Sequence, residues 1–501
     1  MRKKRSNIHF KKYLQLFGLG ILFISVMAGV SQIKVVREFF SSASGQKANL
    51  VIDFQAEQGP LSRPWQYLAQ GGEDHAWDMQ PIVPKVKALE PKYIRIDHIY
   101  DFYDVVSRDG NGQLQFNFSK LDPLLDSILA TGAKPFIALS YMPPAIAKTD
   151  IISEPNNWAD WQLTVQRTVE HISGKRGISD VYYEVWNEPD LFGGWHYSGQ
   201  KNYLTMYTHS SRGATQARNV KPFKLGGPGT TGLYKNWFTA LTEHTQKNNL
   251  RYDFFSWHRY NLKVEAFQED VQDIRTWQIP YPNTSDLELI ITEWGHDSEN
   301  HAGYDTQFGA AHTVASSIEM VGRVEKAFVF EVEDGKDPQG NARWGRWGLL
   351  THQSFGAETK PRYQALRLLN QLGPTRVSVV GNGSWVKALA TKNEKNELQV
   401  IIVNYDTSGR NVEAVPLAFR NFPDGEYTLQ QQFLGGRQQT ATLTSSGNMM
   451  RGTVTLPANS VALLELTSTT GEIPSLPPPS PLPTPVPTPT EPETGFGRLL
   501  N

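Results

Sequence analysis

The sequence predicts an α/β fold: a (β/α)8 TIM barrel followed by a small all-β sandwich. Three observations carry this. Short apolar runs, eight in all, alternate with longer amphipathic stretches from residue 50 to about residue 370. No Gly-rich turn follows the first run, as an open doubly wound nucleotide-binding sheet would require. Beyond residue 372 the helical stretches stop and only strand-like runs remain.

The chain begins with a targeting segment. Residues 1–12 hold six Lys and Arg and no acid, a basic n-region expected on the cytoplasmic side. Residues 13–30, YLQLFGLGILFISVMAGV, are almost wholly apolar. As a helix they would extend about 27 Å, near the thickness of a bilayer's hydrocarbon core. They read as a transmembrane signal-anchor or as a cleaved signal peptide, with Ala28-Gly29-Val30 the nearest cleavage site. Residues 31–48 form a polar stalk.

The barrel is expected over 49–371. Its eight strand runs are LVIDF (50–54), YIRID (93–97), KPFIALS (134–140), VYYEVWN (181–187), FKLGGP (223–228), DFFSWHRY (253–260), LELIITE (287–293) and KAFVFEVE (326–333). Helices are expected near 119–131, 157–174, 200–218, 234–248, 305–321 and 360–370. Residues 372–468, with strand-like segments such as LQVIIVNYD and SVALLEL between Asn, Gly and Asp turns, make the sandwich. Residues 469–501 are a Pro- and Thr-rich spacer and tail, a composition that favours extended polyproline II and cannot build a core.

Composition narrows the chemistry. The 49 basic and 50 acidic residues nearly cancel, so no general attraction to nucleic acid is expected. With no Cys, thiolate nucleophiles, disulfides and Cys-bound metals are excluded. The His residues show no ligand spacing along the chain, so neither a metal nor a cofactor is expected. Thirteen Trp suit both sugar faces and large cores.

In such a barrel the reactive groups sit where strands run out into the following loops. The fourth run ends in Asn187 and Glu188, the seventh in Glu293 and Trp294. The sixth ends with His258 and Tyr260, the second with Arg95 and Asp97 beside His98, and the eighth with Glu331, Glu333 and Asp334. Two carboxylates across a bond are what glycoside cleavage needs. One donates a proton to the leaving oxygen; the other attacks the anomeric carbon or activates water. Strands four and seven lie on roughly opposite sides of a barrel mouth, so Glu188 and Glu293 are the candidate pair. The loop 191–199, LFGGWHYSG, carries Trp195 and His196 and is expected either to form one wall of an aglycone site or to be simply a capped loop, and the loop 335–347 carries Trp344 and Trp347.

EVWNEP followed by ITEW resembles the acid/base and nucleophile signatures of the clan A glycoside hydrolases. Within that clan the chain is most similar to glycoside hydrolase family 39. ALSYMPPAIA (138–147) resembles that family's LSFMP turn, LGGPG (225–229) its fifth strand, FSWHRY its SFHxY strand and RWGLL (346–350) its GFGLL segment. The resemblance implies Glu188 as acid/base, Glu293 as nucleophile and retention of anomeric configuration. It implies that Asn187 bonds the sugar 2-hydroxyl, that Tyr260 orients Glu293, that His258 lines the sugar pocket and that Asp334 matches an Asp at the eighth strand. Arg95, His98, Trp195 and Trp294 complete the candidate substrate-binding set. The chain departs from the family at the second strand, which reads Arg95-Ile96-Asp97-His98 in place of R-F-H-G. It also departs after ITEW, with Gly295-His296, and at Phe330, where a Trp is usual. Members act on xylosides, iduronides and arabinosides, and some membrane-anchored bacterial relatives cut exopolysaccharide internally. The expectation is therefore a retaining O-glycosidase acting on extracellular or envelope polysaccharide or oligosaccharide. It would be held at the membrane by its N-terminal helix, or secreted if that segment is cleaved. The alternative is a non-catalytic carbohydrate-binding envelope protein on the same scaffold.

Overall fold

The computed structural model describes residues 45–469, apart from 73, 338, 342 and 343. The expected anchor at 13–30 and the Pro-rich segment from 470 onward lie outside the described residues. Among the described residues no helix is long and apolar enough to cross a membrane.

Eight parallel strands close into a barrel. In chain order the molecule starts with β1 (Leu50–Pro60), and the barrel then takes β2 (Tyr67–Gln70) and β3 (Tyr93–Ile96). A small hairpin, β4 (Val106–Arg108) and β5 (Leu114–Phe116), precedes β6 (Lys134–Ala138) and β7 (Val181–Glu184). β8 (Phe223–Thr230), β9 (Phe254–Tyr260), β10 (Glu288–Gly295) and β11 (Lys326–Phe330) complete the ring, with β11 pairing back to β2. The helices are α1 (Val83–Lys87), α2 (Asp122–Ala130), α3 (Trp158–Val169), α4 (Tyr203–Gln216), α5 (Lys235–Lys247), α6 (Ala266–Gln278), α7 (Gln307–Met320) and α8 (Pro361–Leu369). All six expected helices are present.

The first strand run is a correction. LVIDF does not enter the barrel: β1 pairs antiparallel with β12 (Thr375–Val380) and parallel with β15 (Glu413–Arg420) in the accessory sheet. The first barrel strand is the four-residue YLAQ of β2. The burial of β1 gives the reason. Leu50, Ile52 and Phe54 are buried and the residues between them are half-exposed, the alternation of a strand with one covered face. β2 is buried on both faces, as a barrel strand must be. The accessory sheet also holds β13 (Val386–Lys392), β14 (Leu398–Asn404), β16 (Gly425–Phe433), β17 (Gln438–Ser445), β18 (Met449–Leu456) and β19 (Ser460–Ser468). It docks on the barrel through α7, where Lys387 pairs with Glu265 and Glu319 and the Tyr405 hydroxyl donates to Leu262 O.

The barrel interior is filled by Tyr67, Ala69, Phe136, Tyr182, Phe254, Ile290 and Phe328. Alternation then decides which side chains stand above this plug. On β3 Tyr93 and Arg95 face inward; on β7 Tyr182 and Glu184; on β9 Phe254, Ser256, His258 and Tyr260. β10 breaks the rule. Ile291 pairs with Trp257 but Glu293 pairs with His258, so Thr292 is an extra residue. The bulge returns Glu293 to the inward face, where strict alternation would have put Thr292.

Candidate active site

The cleft opens at the C-terminal ends of the barrel strands. It has a volume of about 620 Å³, and its lining includes Asp97, His98, Tyr141, Asn187, Glu188, Tyr260 and Glu293. Its floor is a buried ionic cluster around Arg95, which is wholly inaccessible to solvent. Arg95 Nε donates to Glu184 Oε2 at 2.8 Å, Nη1 to Glu293 Oε1 at 2.9 Å and Nη2 to Asn187 Oδ1 at 2.6 Å. Asn187 Nδ2 in turn donates to the Tyr141 hydroxyl at 2.9 Å. The rigid guanidinium fork fixes three side chains from strands β7 and β10 and the loop after β7 at one height.

Glu188 is aimed by its backbone. Its φ of 45° is left-handed, uncommon for a non-glycine residue, and its N–H is tied to Gly229 O at 2.9 Å. Gly229 itself sits at φ 62°, and a Cβ there would lie 2.8 Å from Glu184 Oε1, so only glycine fits.

His258 stands between the two acids. Its Nδ1 is 2.9 Å from Glu188 Oε1 and 3.3 Å from Glu293 Oε2. The Tyr260 hydroxyl donates to Glu293 Oε2 at 3.0 Å. Oxygens of Glu188 and Glu293 and a ring nitrogen of His258 lie within 4.8 Å of one another. Such a group also meets the spacing of a metal ligand set, which the separation of these residues along the chain hides. Here Arg95 already brings a fixed positive charge against Glu293, which opposes a second cation.

The electrostatics follow from burial. Glu293 is pushed up to about 7, first by burial and then by Glu188 and Asp97, against the pull of His258 and Arg95. Burial disfavours the His258 cation, but Glu293 and Glu188 outweigh it and its pKa is raised. Burial likewise raises Asp97, with His98 and Arg95 holding it down. Glu293 and His258, 3.3 Å apart, each bias the other's protonation.

Of the ten residues in the expected catalytic and substrate-binding set, seven meet here: Arg95, His98, Asn187, Glu188, His258, Tyr260 and Glu293. Three do not. Trp195 is 1% exposed, because its loop folds back and seats the indole edge-on against Trp186 at 5.5 Å. Trp294 follows the inward Glu293 and therefore points outward, packing against Phe267 and His312 under the helices. Asp334 is 1% exposed and accepts from Lys360 Nζ at 2.7 Å and Gly348 N at 2.9 Å, which fastens the loop after β11. None of these three is in the cleft lining. The reading of the sequence left out Tyr141, Phe192 and Glu184; the first two line the cleft and the third anchors Arg95. Glu184 was legible from the alternation of β7, two residues above Tyr182.

The family model of glycosyl hydrolases family 39 matches residues 50–425. A β-xylosidase of Caldicellulosiruptor saccharolyticus is 24% identical over 360 residues, which span 66% of this chain and 71% of that protein. A β-xylosidase of Geobacillus stearothermophilus is 27% identical over 308 residues, covering 54% of this chain and 59% of that protein. The crystal structure of the GH39 enzyme from Xanthomonas axonopodis pv. citri superposes with a TM-score of 0.69 at 22% identity, over 84% of this chain and 97% of that one. A monomeric β-xylosidase from Caulobacter crescentus gives 0.68 at 21% identity, over 84% and 100%. These superpositions establish the shared architecture, and the family match covers most of the chain. The chain belongs to glycosyl hydrolases family 39 and is a glycosidase acting on O-glycosyl bonds.

Proposed function

We propose that the chain hydrolyses glycosides with retention, by double displacement, with Glu293 as nucleophile and Glu188 as acid/base. The observation that supports this best is the separation of the two acids, whose oxygens come within 4.8 Å. Direct attack on the anomeric carbon goes with carboxyl groups about 5–5.5 Å apart, and room for an intervening water needs about 6.5–9.5 Å. Glu293 receives hydrogen bonds from Arg95 and Tyr260, donors that stabilise its ionised form and fix its direction of attack. Glu188 carries the proton to the leaving oxygen, then takes one from the water that releases the sugar. Asn187, held at both ends of its amide by Arg95 and Tyr141, presents its remaining N–H to the sugar 2-hydroxyl.

The relatives are β-xylosidases, which makes aryl β-xylosides the first substrates to try. The basic residues 1–12 and the apolar residues 13–30 support a site of action outside the cytoplasm, on envelope or extracellular polysaccharide or oligosaccharide. The chain is held at the membrane by that segment, or secreted if it is cleaved. The test is hydrolysis of aryl xylosides, glucosides, arabinosides and iduronides and of polymeric glycans, with Glu293→Gln beside the wild type. The variant is expected to lose at least about 10³-fold in rate, since no nucleophile remains. Near-normal turnover by a folded Glu293→Gln protein would refute the assignment.

A further inference from the structure

Asp97 is a buried acid of the cleft lining that the proposed mechanism does not use. It follows β3 directly and continues its inward side, above Tyr93 and Arg95. It lies two residues beyond Arg95, whose guanidinium holds Glu293. It is 7% exposed and lines the same cavity as Glu188 and Glu293. Yet no described residue donates a hydrogen bond to it.

The other buried acids each have at least one side-chain donor. Glu184 has Arg95, Glu293 has Arg95 and Tyr260, Asp270 has Trp257 and Arg259, and Asp334 has Lys360. The oxygens of Asp97 open into the cleft, so its donors come from water in the free protein and from a ligand in the complex. Sugar hydroxyls are such donors, and a carboxylate has two oxygens with which to take a neighbouring pair.

The cations around the cleft point the same way. Arg95 is shared among Glu184, Glu293 and Asn187, Arg259 is paired with Asp270, His98 with Asp101, and His258 faces both central acids. Among the described residues lining the cleft, no cation is left over for a carboxylate on the sugar. A uronic acid would instead meet Asp97, Glu188 and Glu293.

We propose that Asp97 selects the sugar bound on the glycone side of the cleaved bond, accepting hydrogen bonds from two adjacent hydroxyls of a neutral ring and repelling uronides. This rests on the hydrolase reading above, and its test separates the two. Wild type, Asp97→Asn and Asp97→Ala are compared on the best neutral aryl glycoside, on its mono-deoxy analogues and on the matching uronide. Asp97→Asn is expected to lower kcat/KM on the parent glycoside by about 10–100-fold, the worth of a charge-assisted hydrogen bond. Each analogue lacking one of the two contacted hydroxyls should show part of that loss already in the wild type and a smaller further loss in the variant than the parent does. The uronide should gain on the neutral sugar when Asp97 is replaced. Equal losses on parent and deoxy substrates, or none, overturn the proposal, as does a wild type that prefers the uronide or an amino sugar. If the variants do not fold, the deoxy series on the wild type alone decides: no discrimination overturns it. If the wild type cleaves nothing, the hydrolase reading fails, and saturation-transfer NMR of the free sugars still tests Asp97. Neutral-sugar binding that Asp97→Asn abolishes supports the proposal; binding that it leaves unchanged overturns it.

Discussion

Replacing Arg95 by Met keeps most of the side-chain length and removes the charge. Arg95 and Glu184 are both fully buried and Glu293 is nearly so, so the change leaves two buried carboxylates without their cation. Removing one partner of a buried ion pair costs about 3–5 kcal/mol. The barrel spans roughly 300 residues from β2 to α8, and at about 2.1 cal/mol/K per residue its unfolding entropy is about 0.6 kcal/mol/K. The expected fall in Tm is then about 5–8 °C at pH 7. The effect depends on pH in a defined direction. Arg95 pulls the Glu293 pKa down, so its loss lifts that pKa further above the unfolded value. An acid with a raised folded pKa destabilises the protein when ionised, and this is relieved as pH falls through the folded pKa. The Tm gap between Arg95→Met and wild type should therefore narrow from pH 8 to pH 5. Differential scanning calorimetry across that range is the assay. A gap under 1 °C at pH 7, or one that widens on acidification, would refute the reasoning.

Two further outcomes follow from the same geometry. His258 lowers the pKa of Glu293, so His258→Gln should move the acid limb of the kcat/KM profile to higher pH, measured with an aryl glycoside whose leaving group needs no proton. Trp195→Ala should destabilise the fold by about 3–5 kcal/mol through the cavity it leaves, while KM stays within about twofold, since the indole touches Trp186 and not the cleft.

Much of this arrangement is legible in the amino-acid order, for a physical reason. Seven of the eight barrel strands are legible as apolar runs, five of those end in reactive side chains, and such ends are where a barrel gathers its chemistry. Glu188, His258, Tyr260 and Glu293 were all found in this way. The first strand was not, because YLAQ is only four residues long and lacks β-branched side chains, whereas LVIDF has the stronger strand signal and serves the accessory sheet. Direction was the other gap. Strict alternation on β10 would turn Glu293 toward the helices and Trp294 into the cleft. One inserted residue reverses both, and nothing in LELIITEWG announces it. Trp195 and Asp334 show the same limit, since a loop Trp and an acid after a strand read identically whether they face a sugar or a core.

The central claim is that Glu188 and Glu293 stand close enough for direct attack. The configuration of the first-formed product reports on this, because attack by Glu293 followed by water inverts the anomeric carbon twice. Proton NMR of the hydrolysis of an aryl glycoside, recorded before mutarotation, should show the anomer of the substrate. Initial release of the opposite anomer would mean that water attacks directly, and would contradict the account.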